Sequence, residues 1–151
     1  MSDIVSPEVR SRMMAGIKGK NTRPEMILRQ GLHRLGFRFR LHDRRLPGTP
    51  DLVFPRYRAV IFAHGCFWHG HECHLFKWPS TREEFWREKI GKNIEVDTSN
   101  HSRLKQLGWR IGIVWECSLK GKYKLDREEV IELCAQWLKS DIPSIEIGGQ
   151  C

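Results

Sequence analysis

Ten consecutive residues, from His64 to Cys73, carry the side chains of this chain that are best suited to holding a metal ion. They include three histidines and two cysteines, placed around the adjacent aromatic residues Phe67 and Trp68. Thiolate sulfur and neutral imidazole nitrogen are the ligands that a tetrahedral zinc ion prefers. A bound metal would fix both aromatic rings in place. The alternative is a loop that is packed by its aromatics and whose histidines have no chemical role.

The spacing of these residues predicts a closed zinc site. The loop supplies three ligands, and the fourth must come from elsewhere in the chain. Cys117 ends a predicted strand that we expect to lie beside the strand ending at Ala63, so it is the best candidate. The expected ligands are Cys66, His71, Cys73 and Cys117. Three cysteines and one histidine leave no open position on the metal, which indicates a structural zinc ion.

The other histidines and cysteines near this set have different interpretations. His69 and His74 are competing zinc ligands. The choice of His71 leaves His69 free, because residues two apart on a tight loop need not both reach one ion. Cys134 falls on the apolar face of a predicted helix and is more typical of a core thiol. Cys151 is terminal and is expected to have no role. Five cysteines, partly clustered with histidines, indicate metal ligands rather than a disulfide framework.

A second group of residues is suited to phosphodiester cleavage. Asp51 follows Pro50 at the start of one predicted strand, and His64 ends the next. A carboxylate can hold Mg²⁺ together with carbonyl and water oxygens, and the backbone carbonyl of Ala63 is available here. Mg²⁺ polarises a phosphate and lowers the pKa of an attacking water, while His64 can act on a proton or on the phosphate. The alternative for Asp51 is an ordinary turn residue.

Large apolar side chains beside positive charge form a third group. Its members are Phe67, Trp68 and Trp86, with the pair Met13 and Met14 in the basic N-terminal segment. Side chains of this kind can enter a base step and trade stacking energy for a kinked duplex. The alternative for each of them is packing in the hydrophobic core.

Capping signals and hydrophobic periodicity place these residues on helices and strands. Helices are predicted at residues 7–17, 22–35, 81–97, 99–107 and 126–138. Strands are predicted at residues 37–41, 52–54, 58–63 and 109–115. Thr22 and Glu25 predict a capping box at the start of the second helix. The tail from Ser140 onward is expected to be loosely ordered.

This order of elements predicts an α/β fold. We expect one domain over all 151 residues, with a small central sheet and helices on both faces. Active-site residues in such sheets collect at strand ends. Asp51, His64 and Cys117 all fall at predicted strand ends, so we expect them near one another.

The charge of the chain indicates the class of its partner. A net charge of +8 and a pI near 9.5 favour a polyanion, with nucleic acid first and an acidic membrane surface second. No apolar run approaches the roughly 20 residues of a membrane span, and the N-terminal residues do not resemble a signal peptide. We therefore expect a cytosolic protein.

Beyond these physical arguments, the sequence resembles the very short patch repair (Vsr) endonucleases. The similarity runs from about residue 10 to residue 137. It is carried by Asp51, residues 60–71 with Cys73, Phe85, Trp86, residues 89–93, Asp97, and the segments 108–110 and 114–117. The cysteine–aromatic–histidine motif within residues 66–71 is highly specific.

The resemblance implies a type II restriction-endonuclease-like fold with a small mixed sheet and a structural zinc ion. It implies a Mg²⁺-dependent nick on the 5′ side of the thymine in a T·G mismatch, which arises when 5-methylcytosine deaminates. The partner would be mismatched double-stranded DNA, bound by a monomer in the bacterial cytoplasm at the nucleoid. Whether accessory repair proteins take part stays open.

The resemblance also assigns metal-site roles by position. Asp51 would be the central Mg²⁺ ligand, with the carbonyl of Ala63 beside it and Glu25 near the metal through water. Ala63 stands where the best-known member of the family has a threonine. If the position acts through its carbonyl, nothing is lost. If the threonine hydroxyl matters, the metal geometry differs here.

Further roles follow from the same resemblance. His64 and His69 would flank the scissile phosphate, with His69 as the general base or water-orienting group and Asp97 as its partner. The DNA contacts would come from Phe67, Trp68 and Trp86 as an aromatic wedge, Met14 in the other groove, and Lys89 and Asn93 at the mispaired bases. A T·G wobble pair is weakly stacked, so opening it costs less than opening a matched pair.

Three alternatives stand beside a mismatch-nicking enzyme. The first is a restriction-type nuclease that cuts unmispaired DNA, against which the aromatic pair beside the cluster weighs. The second is a non-catalytic zinc module that binds distorted DNA. The third is a redox or metal-storage role for the cysteines, which nothing else in the sequence supports.

Overall fold

The computed structural model describes residues 21–149. Its three α-helices are α1 (Arg23–Arg34), α2 (Glu83–Gln106) and α3 (Arg127–Leu138). Its strands are β1 (Arg40–Leu41), β2 (Leu52–Phe54), β3 (Ala59–His64), β4 (Arg110–Trp115) and β5 (Ser144–Ile147). The predicted helix at residues 7–17, with Met13 and Met14, and the terminal Cys151 lie outside the described residues.

The five strands form one mixed sheet in the order β1-β2-β3-β4-β5. The pairs β1–β2 and β2–β3 are antiparallel, whereas β3–β4 and β4–β5 are parallel. Successive side chains of a strand point to opposite faces, so Ile61 and Phe62 of β3 enter different core clusters. The predicted α/β class, with a small sheet between two helical layers, is confirmed.

Helices cover both faces of the sheet. Leu28 of α1 and Leu138 of α3 are fully buried in one cluster with Ile61. On the other face, Leu104 of α2 packs in a second cluster with Phe62. Each aliphatic side chain removed from water in this way contributes about 1.5–3 kcal/mol to folding. The two clusters hold the central strands rigidly between the helices.

The connection from β3 through α2 to β4 decides where the site can form. Parallel neighbours need a long crossover, here supplied by α2, and their carboxyl ends then lie at the same edge of the sheet. The register pairs His64 at the end of β3 with Trp115 at the end of β4. The residues that follow each strand, including Cys66 and Cys117, therefore leave the sheet side by side.

The predicted capping box at the start of α1 is wrong. Thr22 occupies the N-cap position but makes no side-chain capping hydrogen bond. The Glu25 carboxylate accepts a hydrogen bond from the backbone N–H of Asn21 at 3.1 Å, and Glu25 is only 1% exposed. A contact with His42 also draws the Glu25 side chain inward, and it could not be seen in the local sequence because the two residues are 17 positions apart.

The two helices predicted at residues 81–97 and 99–107 are one continuous helix, α2. Thr98 and Ser99 suggested a break because short hydroxyl side chains compete for backbone hydrogen bonds. The Thr98 hydroxyl instead donates to the carbonyl of Ile94 at 2.9 Å, which satisfies it within the helix. No glycine or proline is present there to end the helix.

The C-terminal prediction also needs correction. The prediction that the tail is loosely ordered from Ser140 onward is wrong for Ser144–Ile147. This segment pairs in parallel with β4 as strand β5. Ile147 is buried in the first core cluster, so this short strand contributes apolar surface to the fold. The predicted strand at 37–41 is ordered only at Arg40–Leu41, because Phe37 packs instead on the ring of Phe54.

The other predicted elements agree closely with the structure. The predicted strands at 52–54, 58–63 and 109–115 correspond to β2, β3 and β4, and the last predicted helix corresponds to α3. Within residues 21–149, no helix has both the length and the apolar character needed to cross a bilayer.

Candidate active site and metal centre

The start of β2 and the end of β3 bring the predicted acid and its backbone partner together. Antiparallel pairing sets Leu52 opposite Ile61, which places Asp51 beside the last residues of β3. The backbone N–H of Ala63 donates to Asp51 Oδ2 at 2.8 Å. This contact uses one carboxylate oxygen and leaves Oδ1 directed toward other groups. The proximity of Asp51 and Ala63 that the sequence predicted is therefore present.

Asp51 belongs to a cluster with Glu25 and His42. The three side chains offer donor atoms that all lie within 4.8 Å of one another. His42 Nε2 lies 2.9 Å from a carboxylate oxygen of Glu25 and 4.0 Å from Asp51 Oδ1. Carboxylate oxygens of this kind are the ligands that Mg²⁺ prefers. The cluster therefore fits a divalent cation.

The surroundings of Asp51 make its negative charge unfavourable without a cation. Burial, together with the nearby Glu25 carboxylate, raises the pKa of Asp51 from its ordinary 3.8 to about 6. The hydrogen bond from the Ala63 N–H and the closeness of His42 act in the opposite direction. A cation bound beside Asp51 would offset the cost of ionising this buried carboxyl.

His69 is oriented by Asp97. Nδ1 of His69 lies 2.6 Å from Asp97 Oδ2, and both side chains are about one quarter exposed, at 26% and 23%. A carboxylate bonded to one ring nitrogen fixes the ring and makes the other nitrogen a better proton acceptor. The structure thus pairs the two residues whose partnership the resemblance implied.

His64 lies against His69 in a parallel stack. The ring centroids are 3.7 Å apart and the ring planes differ by 3°. His64 is buried, and its Nδ1 has no hydrogen-bond partner among the described residues. Burial, followed by the neighbouring His69 and His101, lowers the pKa of His64 well below its ordinary value. The ring is therefore held in its neutral form.

The stacking of these two rings bears on what they can do. His64, His69 and Asp97 place donor atoms close enough to suggest a shared metal ion. A ring nitrogen, however, donates its lone pair in the plane of the ring, and two parallel planes 3.7 Å apart do not converge on one ion. This geometry favours proton transfer and phosphate contacts over metal binding.

His101 also belongs to this site, and sequence reasoning missed it. It lies on α2 one turn after Asp97, and its ring is 5.1 Å from Phe62 and 6.0 Å from His64. Partial burial lowers its pKa. The spacing of four residues from Asp97 could have indicated it. The break predicted at residue 98 hid this shared helical face.

The predicted zinc ligands are brought together at the ends of β3 and β4. Cys66, His71, Cys73 and Cys117 place their donor atoms within 4.8 Å of one another. The Nδ1 atom of His71 lies 3.5 Å from Cys66 Sγ and 3.6 Å from Cys117 Sγ. Three sulfurs and one imidazole nitrogen at these separations suit a tetrahedral metal ion. The cluster could therefore hold such an ion.

The competing histidines have other contacts. His69 is bonded to Asp97, and the ring of His74 packs edge-on against Tyr123 with centroids 4.9 Å apart. Burial raises the pKa of the Cys66 and Cys117 thiols, so a bound cation would be needed to favour their thiolate forms. Cys134 is buried in the core on α3, as predicted.

The loop that carries the metal cluster is held against α2 and β4. Gly70 has a φ of +65°, a conformation that favours glycine. A Cβ atom at this position would lie 2.6 Å from Ile94 of α2, so the close approach requires glycine as well. The ring of His71 stacks on Trp115 with centroids 4.1 Å apart.

The aromatic residues of the loop pack with one from α2. The ring centroids of Phe67, Trp68 and Trp86 are 5.2 to 5.8 Å apart in every pair. All three are partly exposed, and Asn93 donates from Nδ2 to the backbone carbonyl of Trp68 at 2.9 Å. Asn93 therefore helps to hold the aromatic cluster in position. Phe76, which the sequence did not indicate, stacks on Phe67.

One open cleft connects these groups. Its lining includes Asp51, Ala63, His64, His69, Asp97, Phe67, Trp68 and Asn93. Three basic residues, Arg23, Lys120 and Lys124, line the same cleft. Positive side chains beside an acidic metal site and an aromatic cluster are suited to a nucleic-acid backbone. The arrangement can hold a phosphodiester near a cation and an imidazole.

Comparison with known proteins gives consistent results. The family model for DNA mismatch endonuclease Vsr matches residues 2–75. The DNA mismatch endonuclease Vsr of Escherichia coli (strain K12) is 48% identical over 150 residues, which cover 99% of this chain and 96% of that protein. The Type II nicking enzyme V.XorIIP of Xanthomonas oryzae pv. oryzae is 49% identical over 119 residues, covering 79% and 88% respectively. V.NmeAIP, a Type II nicking enzyme of Neisseria meningitidis serogroup A, is 44% identical over 122 residues, covering 81% and 87%.

Proposed function

The chain belongs to the DNA mismatch endonuclease Vsr family and is a DNA endonuclease, and on this premise we propose that it nicks one strand at T·G mismatches in a Mg²⁺-dependent reaction. The nick falls on the 5′ side of the mispaired thymine and starts the repair of deaminated 5-methylcytosine. Membership of this family contradicts the alternative of a non-catalytic DNA-binding module.

The proposal extends to the architecture and the setting. The mixed sheet with helices on both faces is consistent with a type II restriction-endonuclease-like fold, and the chain acts as one domain. A monomer suffices, because only one strand is cut. The enzyme acts on nucleoid DNA in the cytoplasm. Accessory repair proteins are a separate question that a binding assay with purified components addresses.

Asp51 and the backbone carbonyl of Ala63 hold the catalytic Mg²⁺, with Glu25 acting nearby through water. When bound, Mg²⁺ polarises the scissile phosphate and lowers the pKa of a water nucleophile. The support is the donor cluster around Asp51 and the 2.8 Å contact from Ala63. Because a backbone carbonyl needs no particular side chain, the alanine at position 63 is compatible with this role.

His69 is the general base or water-orienting group. Its contact with Asp97 fixes the ring and leaves Nε2 for the attacking water. His64, neutral because it is buried, flanks the scissile phosphate and can donate one N–H hydrogen bond to it. The stacked arrangement keeps both imidazoles on the side of the cleft that Asp51 also lines.

Phe67, Trp68 and Trp86 form the wedge that enters the duplex beside the mismatch. A wobble pair stacks weakly, so inserting rings there costs less than at a matched pair. Lys89 and Asn93 of α2 supply the polar contacts to the mispaired bases, and the support for Asn93 is its hydrogen bond to the backbone carbonyl of Trp68. Met14, which lies outside the described residues, approaches from the opposite groove.

Zn²⁺ is the ion held by Cys66, His71, Cys73 and Cys117, and its role is structural. The support is the donor set itself, because three thiolates and one imidazole leave no open position for a substrate. The metal ties the wedge-bearing loop to the end of β4. The rings of Phe67 and Trp68 are therefore held in place before DNA arrives.

The observation that carries the proposal is a single cleft lined by Asp51, the His69–Asp97 pair and two members of the aromatic cluster, Phe67 and Trp68. The decisive experiment compares T·G, other mismatched and fully matched duplexes, each labelled on both strands, in Mg²⁺ and in EDTA. We expect one Mg²⁺-dependent nick, 5′ to the thymine of the T·G pair. Equal cutting of the matched duplex would instead establish a restriction-type nuclease.

A second experiment tests the general base. His69→Ala should slow single-turnover nicking by about 100-fold or more, because the positioned proton acceptor is lost. His33→Ala, at an exposed histidine on α1, is the matched control and should nick at the wild-type rate. A His69→Ala rate equal to that of the wild type would remove His69 from the mechanism.

A further inference from the structure

His42 is held at the acidic cluster by both its backbone and its side chain. Its backbone N–H donates to the carbonyl of Asp51 at 3.1 Å. Its φ is +48°, in the left-handed region that residues other than glycine seldom adopt. Such conformations persist only where the surrounding structure imposes them, and they are frequent at functional sites. The fold thus positions this imidazole toward Asp51 and Glu25.

The donor atoms around His42 converge. Nε2 lies 2.9 Å from a Glu25 oxygen and 4.0 Å from Asp51 Oδ1, and the three donor atoms lie within 4.8 Å of one another. Unlike the stacked pair His64 and His69, one imidazole and two carboxylates here approach a common point. One nitrogen with two carboxylate oxygens is a donor set that first-row transition metals favour.

Burial adds to the case for a cation at this point. The Glu25 side chain is only 1% exposed, and those of His42 and Asp51 are 12% and 21% exposed. Two carboxylates removed from water in this way need positive charge nearby. Arg29 approaches Glu25 at 3.4 Å but is itself partly exposed, at 25%. A divalent ion between the three side chains would balance both acids.

We propose that His42 is a direct ligand of the catalytic cation, together with Asp51. In this arrangement Glu25 contacts the ion directly and not through water, and the His42 nitrogen makes the site bind Mn²⁺ more tightly than Mg²⁺. Mg²⁺ takes oxygen ligands and keeps several of its waters. An imidazole nitrogen therefore adds less to its binding than to that of a first-row transition ion. The inference rests on the proposed function, because it assigns a ligand to the metal of that reaction.

The test uses Mn²⁺ bound to the full-length, zinc-loaded protein without DNA. Mn²⁺ stands lowest in the affinity order of the first-row divalent ions, so it does not displace zinc from the cysteine cluster. Pulsed electron paramagnetic resonance detects coupling between bound Mn²⁺ and an imidazole nitrogen. We expect this coupling in the wild type and in the control His33→Gln, and we expect its loss in His42→Gln.

Glutamine is chosen because its amide can still donate a hydrogen bond to Glu25 but offers no ring nitrogen. Persistence of the nitrogen coupling in His42→Gln, or its absence from the wild type, would overturn the proposal. The absence of nitrogen coupling can be established from the wild-type spectrum alone, so this part of the test does not require the variant to fold.

Nicking assays supply the second readout. His42→Gln should raise the half-saturating concentration of Mn²⁺ by about 10-fold or more, and that of Mg²⁺ by less. An equal rise for both ions would assign His42 to positioning Glu25 and would refute metal ligation. If the wild type shows nitrogen coupling but nicks no T·G duplex, the proposed function fails while the ligand assignment stands.

Discussion

At the level of single residues, the buried carboxylate of Asp51 suits a metal site but lowers the stability of the folded protein. In the unfolded chain its carboxyl has the ordinary pKa of 3.8, whereas burial in the fold raises the pKa to about 6. Between these values the folded protein binds more protons than the unfolded chain. Its stability therefore falls as the pH rises through this window, and the loss persists above about pH 6.

Asp51→Asn should consequently stabilise the metal-free protein. In EDTA at pH 8 we expect the free energy of unfolding to rise by about 2 kcal/mol, because the buried charge is removed. Asparagine can still accept the hydrogen bond from Ala63. The gain should vanish below about pH 4, where the aspartate is protonated in both states. Nicking should be lost. Denaturant titrations at the two pH values measure the change.

Asp43→Asn is the control of opposite sign. Hydrogen bonds from Arg45 lower the pKa of Asp43 to about 2, so its charge is favourable in the folded protein. Removing that charge should not stabilise the protein at pH 8. A less stable Asp51→Asn protein in EDTA at pH 8 would contradict the account of the acidic cluster given above.

The residues of the candidate site are of two kinds: those that a local sequence pattern predicts and those that no such pattern led us to predict. Asp51 and the cysteines were predictable, because metal ligands are expected at the ends of strands and where cysteines and histidines lie close together in the sequence. His42 was not predictable, because it belongs to no local motif, whereas His101 was missed because the helix break predicted at residue 98 hid its spacing of four residues from Asp97. His42 reaches the site through an unusual backbone conformation, and His101 reaches it through a long helix that the sequence suggested was two. The tertiary structure places both histidines beside the other residues of the candidate site.

At the level of elements, the proposed metal site predicts that the loop from Gly65 to Cys73 depends on a bound ion for its stability. Cys73→Ser should release zinc and lower the unfolding midpoint by about 5 °C or more, because a thiolate ligand is lost. Cys134→Ala, at a buried thiol of α3, is the matched control and should keep one zinc per chain. Metal analysis and thermal unfolding measure both. Full zinc and unchanged stability in Cys73→Ser would refute the ligand assignment.

Helix α2 contains a glycine that no contact requires. A Cβ atom at Gly91 would meet nothing within 4 Å, and the residue lies in the interior of the helix. Gly91→Ala should therefore stabilise the protein by about 0.5–1 kcal/mol, since glycine is a poor helix former.

Thermal or chemical denaturation measures the gain from Gly91→Ala. Gly70→Ala provides the contrast, because its positive φ and its contact with Ile94 forbid a side chain, and it should destabilise the protein. A loss of stability in Gly91→Ala would show that the glycine meets an obligatory neighbour.

Most elements could be predicted because their own sequences carry the signal. Strands β2, β3 and β4 are short apolar runs between turns, and α1 and α3 carry apolar stripes at helical spacing. Strand β5 is only four residues long, and its pairing with β4 supplies the order that its sequence lacks. Local patterns cannot reveal an element that exists only because a neighbour is already in place.

At the level of the whole molecule, a part of the positive charge lies in the cleft. Lys120 and Lys124 line it together with the proposed catalytic groups. Contacts to phosphates add affinity without reading sequence. Lys120→Gln with Lys124→Gln should weaken DNA binding and reduce the slope of log affinity against log salt by about 2. The preference for T·G over matched DNA should stay the same.

Lys105→Gln with Lys139→Gln is the control for this double variant. It removes the same charge from residues that do not line the cleft, and Lys139 packs over the ring of Phe37. Titrations at several salt concentrations compare the two proteins. Equal slopes for both variants would mean that the charge acts only through the overall field of the protein.

The metal cluster also constrains the order in which the chain can fold. Its candidate ligands come from the loop after β3 and from Cys117, two residues after the end of β4, so a bound ion would close a loop that contains the whole of α2. Loop closure costs entropy before any distant contact is formed. If an ion bound Cys66 and Cys117 early in folding, its binding free energy would offset this entropy loss. It would also hold β3 beside β4 in the correct register. If the ion is zinc, as proposed, the rate at which newly made chains mature would depend on the supply of zinc.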